Sequence, residues 1–179
     1  MRARLLFAAA ALLSLTRPVL AQAPAPTAPT TPAGLWQAVD DDTKQPTGWF
    51  LITNKDGVYS GIIAKMFLKP GEDPNWACDQ CEGADRGKPV LGLTLIKGML
   101  RNGTAYENGT IMDPRDGKVY RAKMNLSPDG QHLDVRGYLG ISLFGRTQTW
   151  NRLPDNALGP QTPAGTGKAA VKAAAPKKQ

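Results

Sequence analysis

Histidine is nearly absent from this chain. His132 stands alone among 179 residues, and there are two cysteines, Cys78 and Cys81. A His-rich metal site is excluded, and a His-dependent triad has one candidate. Aromatic residues make up 7% and charged residues 21%. No stretch from 34 to 153 keeps a helical apolar period for three turns, which argues against a helical domain. After Leu15 no apolar run is long enough to span a bilayer as a helix. Glycine (19) and proline (15) are plentiful instead, and much of the glycine stands at turn positions.

The two ends have their own compositions. Arg2 and Arg4 precede the apolar run Leu5–Leu15, and Ala21-Gln22-Ala23 offers a small-residue cleavage site, so 1–23 reads as a signal peptide. The run would cover about 16 Å as a helix, against a hydrocarbon core of about 30 Å. No cysteine near the cleavage site offers an acceptor for lipid. The mature protein is expected to be soluble and periplasmic or secreted. Residues 24–33 contain only Pro, Thr and Ala and read as an extended linker. Residues 154–179 are rich in Ala, Pro, Gly and Lys and read as a disordered tail. That basic tail can touch anionic envelope polymers weakly.

Charge sorts with the ends. The net charge is +7, but seven of the 22 basic residues and only one of the 15 acidic ones fall outside 34–153. The domain itself is nearly neutral, so no nucleic-acid face is expected.

Within 34–153 the apolar period is two. Tyr120, Ala122, Met124 and Leu126 alternate with Arg121, Lys123 and Asn125. Leu133, Val135, Leu139 and Ile141 oppose His132, Asp134, Arg136 and Tyr138. Such alternation gives one buried and one wet face. Asp56-Gly57, Asn102-Gly103, Asp116-Gly117 and Asp129-Gly130 supply turn chemistry between the runs. The pattern predicts strands at 34–40, 47–54, 58–67, 90–100, 104–112, 118–126, 131–140 and 143–152. The expected fold is all-β: a single eight-stranded antiparallel up-and-down barrel, with a two-sheet sandwich as the alternative.

Gly34-Leu35-Trp36 opens the first strand and Trp150-Asn151-Arg152 closes the last. This resembles the lipocalin pattern, in which an Arg on the final strand lies over the opening Trp. A structural closure role is expected for Trp36 and Arg152. Gly34-Leu35-Trp36-Gln37 near the start, then the C-x-x-C of Cys78 and Cys81, then the longer runs Gly109–Lys123 (GTIMDPRDGKVYRAK) and Val135–Arg152 (VRGYLGISLFGRTQTWNR) resemble a bacterial family known as domain of unknown function 2147. The resemblance spans 34–153. It implies a small exported protein with a lipocalin-like barrel and implies no activity.

Trp76-Ala-Cys78-Asp-Gln-Cys81 is the one reactive-looking cluster. In an oxidising compartment a local disulfide is the expected state. A thiol–disulfide oxidoreductase is the sharper alternative. It wants a helix N-terminus, whereas Glu72, Asp73, Asp79, Glu82 and Asp85 surround this motif with negative charge. Zinc would need more ligands than one pair supplies. The reading is therefore non-enzymatic, with no metal and no cofactor. Asp40-Asp41-Asp42 reads as a solvated turn, and Asn108-Gly109 as a turn or bulge.

On the last strand Phe144, Arg146, Gln148, Trp150 and Arg152 share a face. Arg146 and Gln148 are candidate ligand contacts if that face points inward. The cost of an inward arginine favours an outward or structural one. The expected function is a binding module for a small apolar or amphipathic ligand. The alternative is an envelope interaction protein with a filled barrel, recognising its partner through the acidic 71–85 loop.

Overall fold

The computed structural model describes residues 30–159. Among these, strands β1 (Gly34–Val39), β2 (Pro46–Lys55), β3 (Val58–Met66), β4 (Thr94–Asn102), β5 (Ala105–Met112), β6 (Val119–Leu126), β7 (His132–Tyr138) and β8 (Gly145–Leu153) run antiparallel in chain order. Each pairs with its neighbour, and β8 closes on β1 through Leu35↔Leu153, Trp36↔Arg152 and Gln37↔Asn151. Closure leaves no sheet edge unpaired. The up-and-down barrel is the observed architecture, and the sandwich is not. The expected signal peptide, residues 24–29 and the tail beyond 159 lie outside the described residues.

The strand ends fall close to where the sequence pattern puts them, with two differences. Residues 90–93 are loop rather than strand, yet Val90 and Leu93 are buried in it. Strand β7 stops at Tyr138, so Leu139 and Ile141 are not core residues; they are 60% and 61% exposed. Gly140, at φ +67°, interrupts the strand there.

One end of the barrel is tight. Asp56-Gly57 joins β2 to β3, Gly103-Thr104 joins β4 to β5, and residues 127–131 join β6 to β7. Here Trp36 is fully buried under Arg152, whose guanidinium carbon lies 4.1 Å from the ring centroid. Arg152 donates to three backbone carbonyls: Gly130 (2.6 Å), Ala33 (2.9 Å) and Thr31 (2.8 Å). The Trp36 indole donates to the Pro32 carbonyl at 2.8 Å. Residues 31–33, expected to be linker, are thus bound into the closed end, and Pro32 is buried. Gly34 sits at φ +133°, and a Cβ there would collide with the Arg152 guanidinium.

Above this seal the core fills the lower barrel with Ile52, Tyr59, Met99, Tyr106, Met124 and Leu133. At the other end the loops are longer: 40–45, 67–93, 113–118 and 139–144. The 67–93 loop brings a second cluster, in which Cys78, Cys81, Val90 and Leu93 pack on Ile63, Leu95 and Met112. It plugs the β3–β4 side of this end and leaves the β5–β8 side open.

Candidate functional site

The open side is a cavity of about 670 Å³. That volume lies within the range of small-molecule sites, about 300–1,000 Å³. Its floor is the Phe50–Trp150 pair, stacked with centroids 4.3 Å apart and planes at 18°. Leu95, Ile111 and Val135 continue the apolar wall. Gly137 lines the cavity too, opposite Ile111, where a Cβ would stand 3.2 Å from the Ile111 Cγ2. Even a methyl group there would crowd Ile111 and come up against Tyr120.

The β8 face is inward. Trp150 is 1% exposed and fixes the parity, so Phe144, Arg146 and Gln148 line the cavity with it. The outward orientation favoured by the burial cost of arginine is therefore corrected. The cost does not arise, because Arg146 sits at the rim with its side chain 69% exposed and ion-paired. Its Nη2 and Nε donate to Asp41 Oδ2 at 2.9 and 3.2 Å. Asp41 belongs to the β1–β2 turn, 105 positions away. The Asp41 hydrogen bonds and charge raise the Arg146 pKa above its ordinary value. Gln148 lies deeper, its Oε1 3.5 Å from the Trp150 indole nitrogen.

A second arginine stands at the rim. The β5–β6 turn carries Asp113 and Arg115, which meet in a two-pronged pair: Nε to Oδ1 at 3.0 Å and Nη2 to Oδ2 at 2.9 Å. Burial opposes ionisation of Asp113, but the Arg115 hydrogen bonds outweigh it and hold its pKa below the ordinary value. The turn is pinned from above. Gly117, at φ +71°, lies so close under the Gln80 carbonyl that a Cβ would overlap it. The Pro114 carbonyl oxygen is 3.4 Å from the Cys78 sulfur. The sequence offered Arg115 only as part of a family-like run; its Asp-x-Arg spacing within a turn was the available signal.

Cys78 and Cys81 form a disulfide, Cα atoms 5.3 Å apart. Both residues are buried, and the Cys81 sulfur lies 3.4 Å from Met112 Sδ. The bond closes residues 78–81 within the plugging loop, and its two sulfurs pack against Met112 at the end of β5 and Pro114 of the cavity-side turn. Three of the acidic residues around it, Glu72, Asp73 and Asp85, are engaged locally. Asp85 pairs with Lys88 (2.9 Å) and with Lys97 of β4 (2.6 Å), and these bonds lower its pKa from 3.8 to about 2. Glu72 accepts from the Lys69 amide at 2.7 Å. Asp40 accepts from the Asp42 and Thr43 amides, as a solvated turn requires.

The 139–144 loop borders the mouth. Arg136 holds its backbone, donating to the Ser142 and Leu143 carbonyls and to Thr147 Oγ1. Its apolar side chains stand out: Leu143 is 76% and Phe144 73% exposed. Among the described residues no group of three or more His, Cys, Asp or Glu is placed to hold a metal, and no helix is long and apolar enough to cross a membrane.

An eight-stranded up-and-down barrel sealed at one end by a Trp–Arg pair and open at the other is a lipocalin-like barrel. A solved structure from Helicobacter pylori, of a protein described as belonging to the lipocalin family, is similar in fold. It aligns with a TM-score of 0.58 at 17% identity, over 69% of this chain and 84% of that one. Residues 34–152 match the model of a family described as uncharacterized protein conserved in bacteria (DUF2147), and the chain belongs to that family. No curated protein matches the chain.

Proposed function

We propose that this protein is an exported, non-enzymatic binding module that holds a small apolar or amphipathic ligand in the upper half of its barrel. One observation carries the reading: the core stops at the Phe50–Trp150 stack and leaves about 670 Å³ open above it. The barrel's own side chains do not occupy that space, which disfavours the filled scaffold. Apolar walls with a few polar groups near the mouth are the usual composition of a small-molecule site. The buried sulfurs favour a structural disulfide over a redox couple, because exchange requires access by an attacking thiolate.

The test uses the protein produced with its own leader in a bacterial host and purified without detergent. Native mass spectrometry should find an added mass that leaves on denaturation. The emptied protein should also take up N-phenyl-1-naphthylamine, a neutral apolar dye, with a rise in its fluorescence. A bare protein that ignores the dye would overturn the reading.

A further inference from the structure

Three charged residues line the cavity, and two of them are cations: Arg115 and Arg146, against Asp113. With Asp41, which pairs with Arg146 from the β1–β2 turn, the rim is charge-balanced, so what it offers a ligand is oriented guanidinium donors rather than net positive charge. Each guanidinium is fixed by a carboxylate, Arg115 by Asp113 of its own turn and Arg146 by Asp41 of the β1–β2 turn. The pairing uses the Nε and Nη2 edge. About three of the five N–H donors of each group remain for another acceptor. The side chains are 78% and 69% exposed, so those donors are accessible. An arginine already held in place loses less rotamer freedom when it meets a ligand. Directly below lie Phe50, Ile111, Val135 and Trp150, with no charged group among them.

We infer that the cavity takes a single-chain amphiphile with an anionic headgroup, a carboxylate or phosphate ester. Arg115 and Arg146 hold the headgroup at the rim, and the tail lies on the Phe50–Trp150 floor. This rests on the carrier reading above and names its ligand class. Leu143 and Phe144, exposed at the rim yet lining the cavity, cover the part of the chain next to the headgroup. Tail and headgroup are both needed. The floor gives a small oxyanion nothing apolar to bury, and an uncharged chain leaves the two fixed guanidiniums without their third partner.

The experiment compares dodecanoate, dodecyl phosphate, dodecanol and inorganic phosphate as competitors for the naphthylamine dye. The dye is neutral, so its own binding does not report the arginines. At least one anionic amphiphile should bind about tenfold or more tightly than dodecanol, the loss expected for one or two charge-assisted hydrogen bonds. R115Q and R146Q should each cut that preference severalfold and leave dodecanol unchanged. Both sites are exposed, and equal unfolding midpoints will show that the variants are intact. Equal binding of dodecanol and the anions, or a preference untouched by either variant, overturns the headgroup assignment while the carrier reading stands. Displacement of the dye by inorganic phosphate at the same concentrations overturns the requirement for a tail. Failure of every amphiphile to displace the bound dye overturns the ligand class proposed here, whereas a protein that never takes up the dye overturns the carrier reading itself. A preference for dodecyl phosphate over dodecanoate, or the reverse, identifies which oxyanion the pair fits.

Discussion

Arg152 and Trp36 face each other across the β1–β8 seam, directly paired in register and 4.1 Å apart from guanidinium to ring centroid. The same guanidinium ties down the carbonyls of Gly130, Ala33 and Thr31. Burial lowers its pKa, opposed by the charge of Asp155. It faces carbonyls and a ring, so its charge is solvated by dipoles and π density rather than by a counter-ion.

Arg152→Ala should destabilise the barrel by about 2–4 kcal/mol, since it removes a cation–π contact and orphans carbonyls at the seal. Arg152→Lys should recover only part, because an ammonium cannot reach three carbonyls and cover a ring at once. Urea unfolding of both variants measures this. A loss under 1 kcal/mol for Arg152→Ala would reduce the pair to an incidental contact.

The disulfide closes a short loop, so chain entropy alone gives it about 2 kcal/mol. A Cys78→Ser, Cys81→Ser protein should keep its barrel and lose order in the plugging loop and in the 113–118 turn beneath it. Amide hydrogen exchange should speed up in both segments and stay unchanged in β1, β2 and β8. Exchange that rises across the whole sheet would show that the bond supports the barrel itself.

Asp85 titrates far below its ordinary value, from 3.8 to about 2, because it pairs with Lys88 and Lys97. A depressed folded-state pKa stabilises the structure above the unfolded value, and the contribution is lost as pH falls through the folded one. Between about pH 4 and pH 2 the tie from Asp85 to Lys97 of β4 should therefore weaken and loosen the loop around Asp85, while the buried Cys78, Cys81, Val90 and Leu93 keep the rest of the loop seated. Limited pepsin digestion over that range should cut within the loop first. At a single pH of about 4, Asp85→Asn should be cut in the loop faster than wild type, and the difference should shrink toward about pH 2, where wild type loses the same pair.

Phe144→Ser should leave unfolding within about 0.5 kcal/mol of wild type, since the side chain is 73% exposed. It should weaken the naphthylamine dye severalfold, because the ring borders the mouth. Trp150→Ala should do the opposite to stability: a floor residue 1% exposed costs about 3–5 kcal/mol when removed. Dye binding unchanged in Phe144→Ser would remove the 139–144 loop from the site.

Strand order and closure were legible because they depend on short-range signals: period-two alternation and Gly-containing turns. Trp36 and Arg152 were legible because they sit at the two ends of the pattern. The rim was not. Asp41 and Arg146 lie 105 positions apart, and nothing local in either segment announces the other. The alternation at Leu139 and Ile141 continues past the real end of β7, where Gly140 breaks the strand, so two exposed leucine and isoleucine side chains look like core. The β8 face could have been oriented from Trp150, the residue on it most costly to expose. The general cost of an inward arginine pointed the other way and did not apply to one at the rim.

The pairing of Leu35 with Leu153 brings the first and last strands side by side at the sealed end. Chain entering β1 and chain leaving β8 therefore emerge together, on the side opposite the mouth. A tether or a fused protein joined directly before Thr31 or after Leu153 would start from the sealed end, away from the entrance. The same proximity makes the barrel a candidate for circular permutation: a bridge from beyond Leu153 to Thr31, which keeps residues 31–33 on Arg152 and Trp36, and a new opening at Gly57 would preserve every strand pair and leave the mouth as it is.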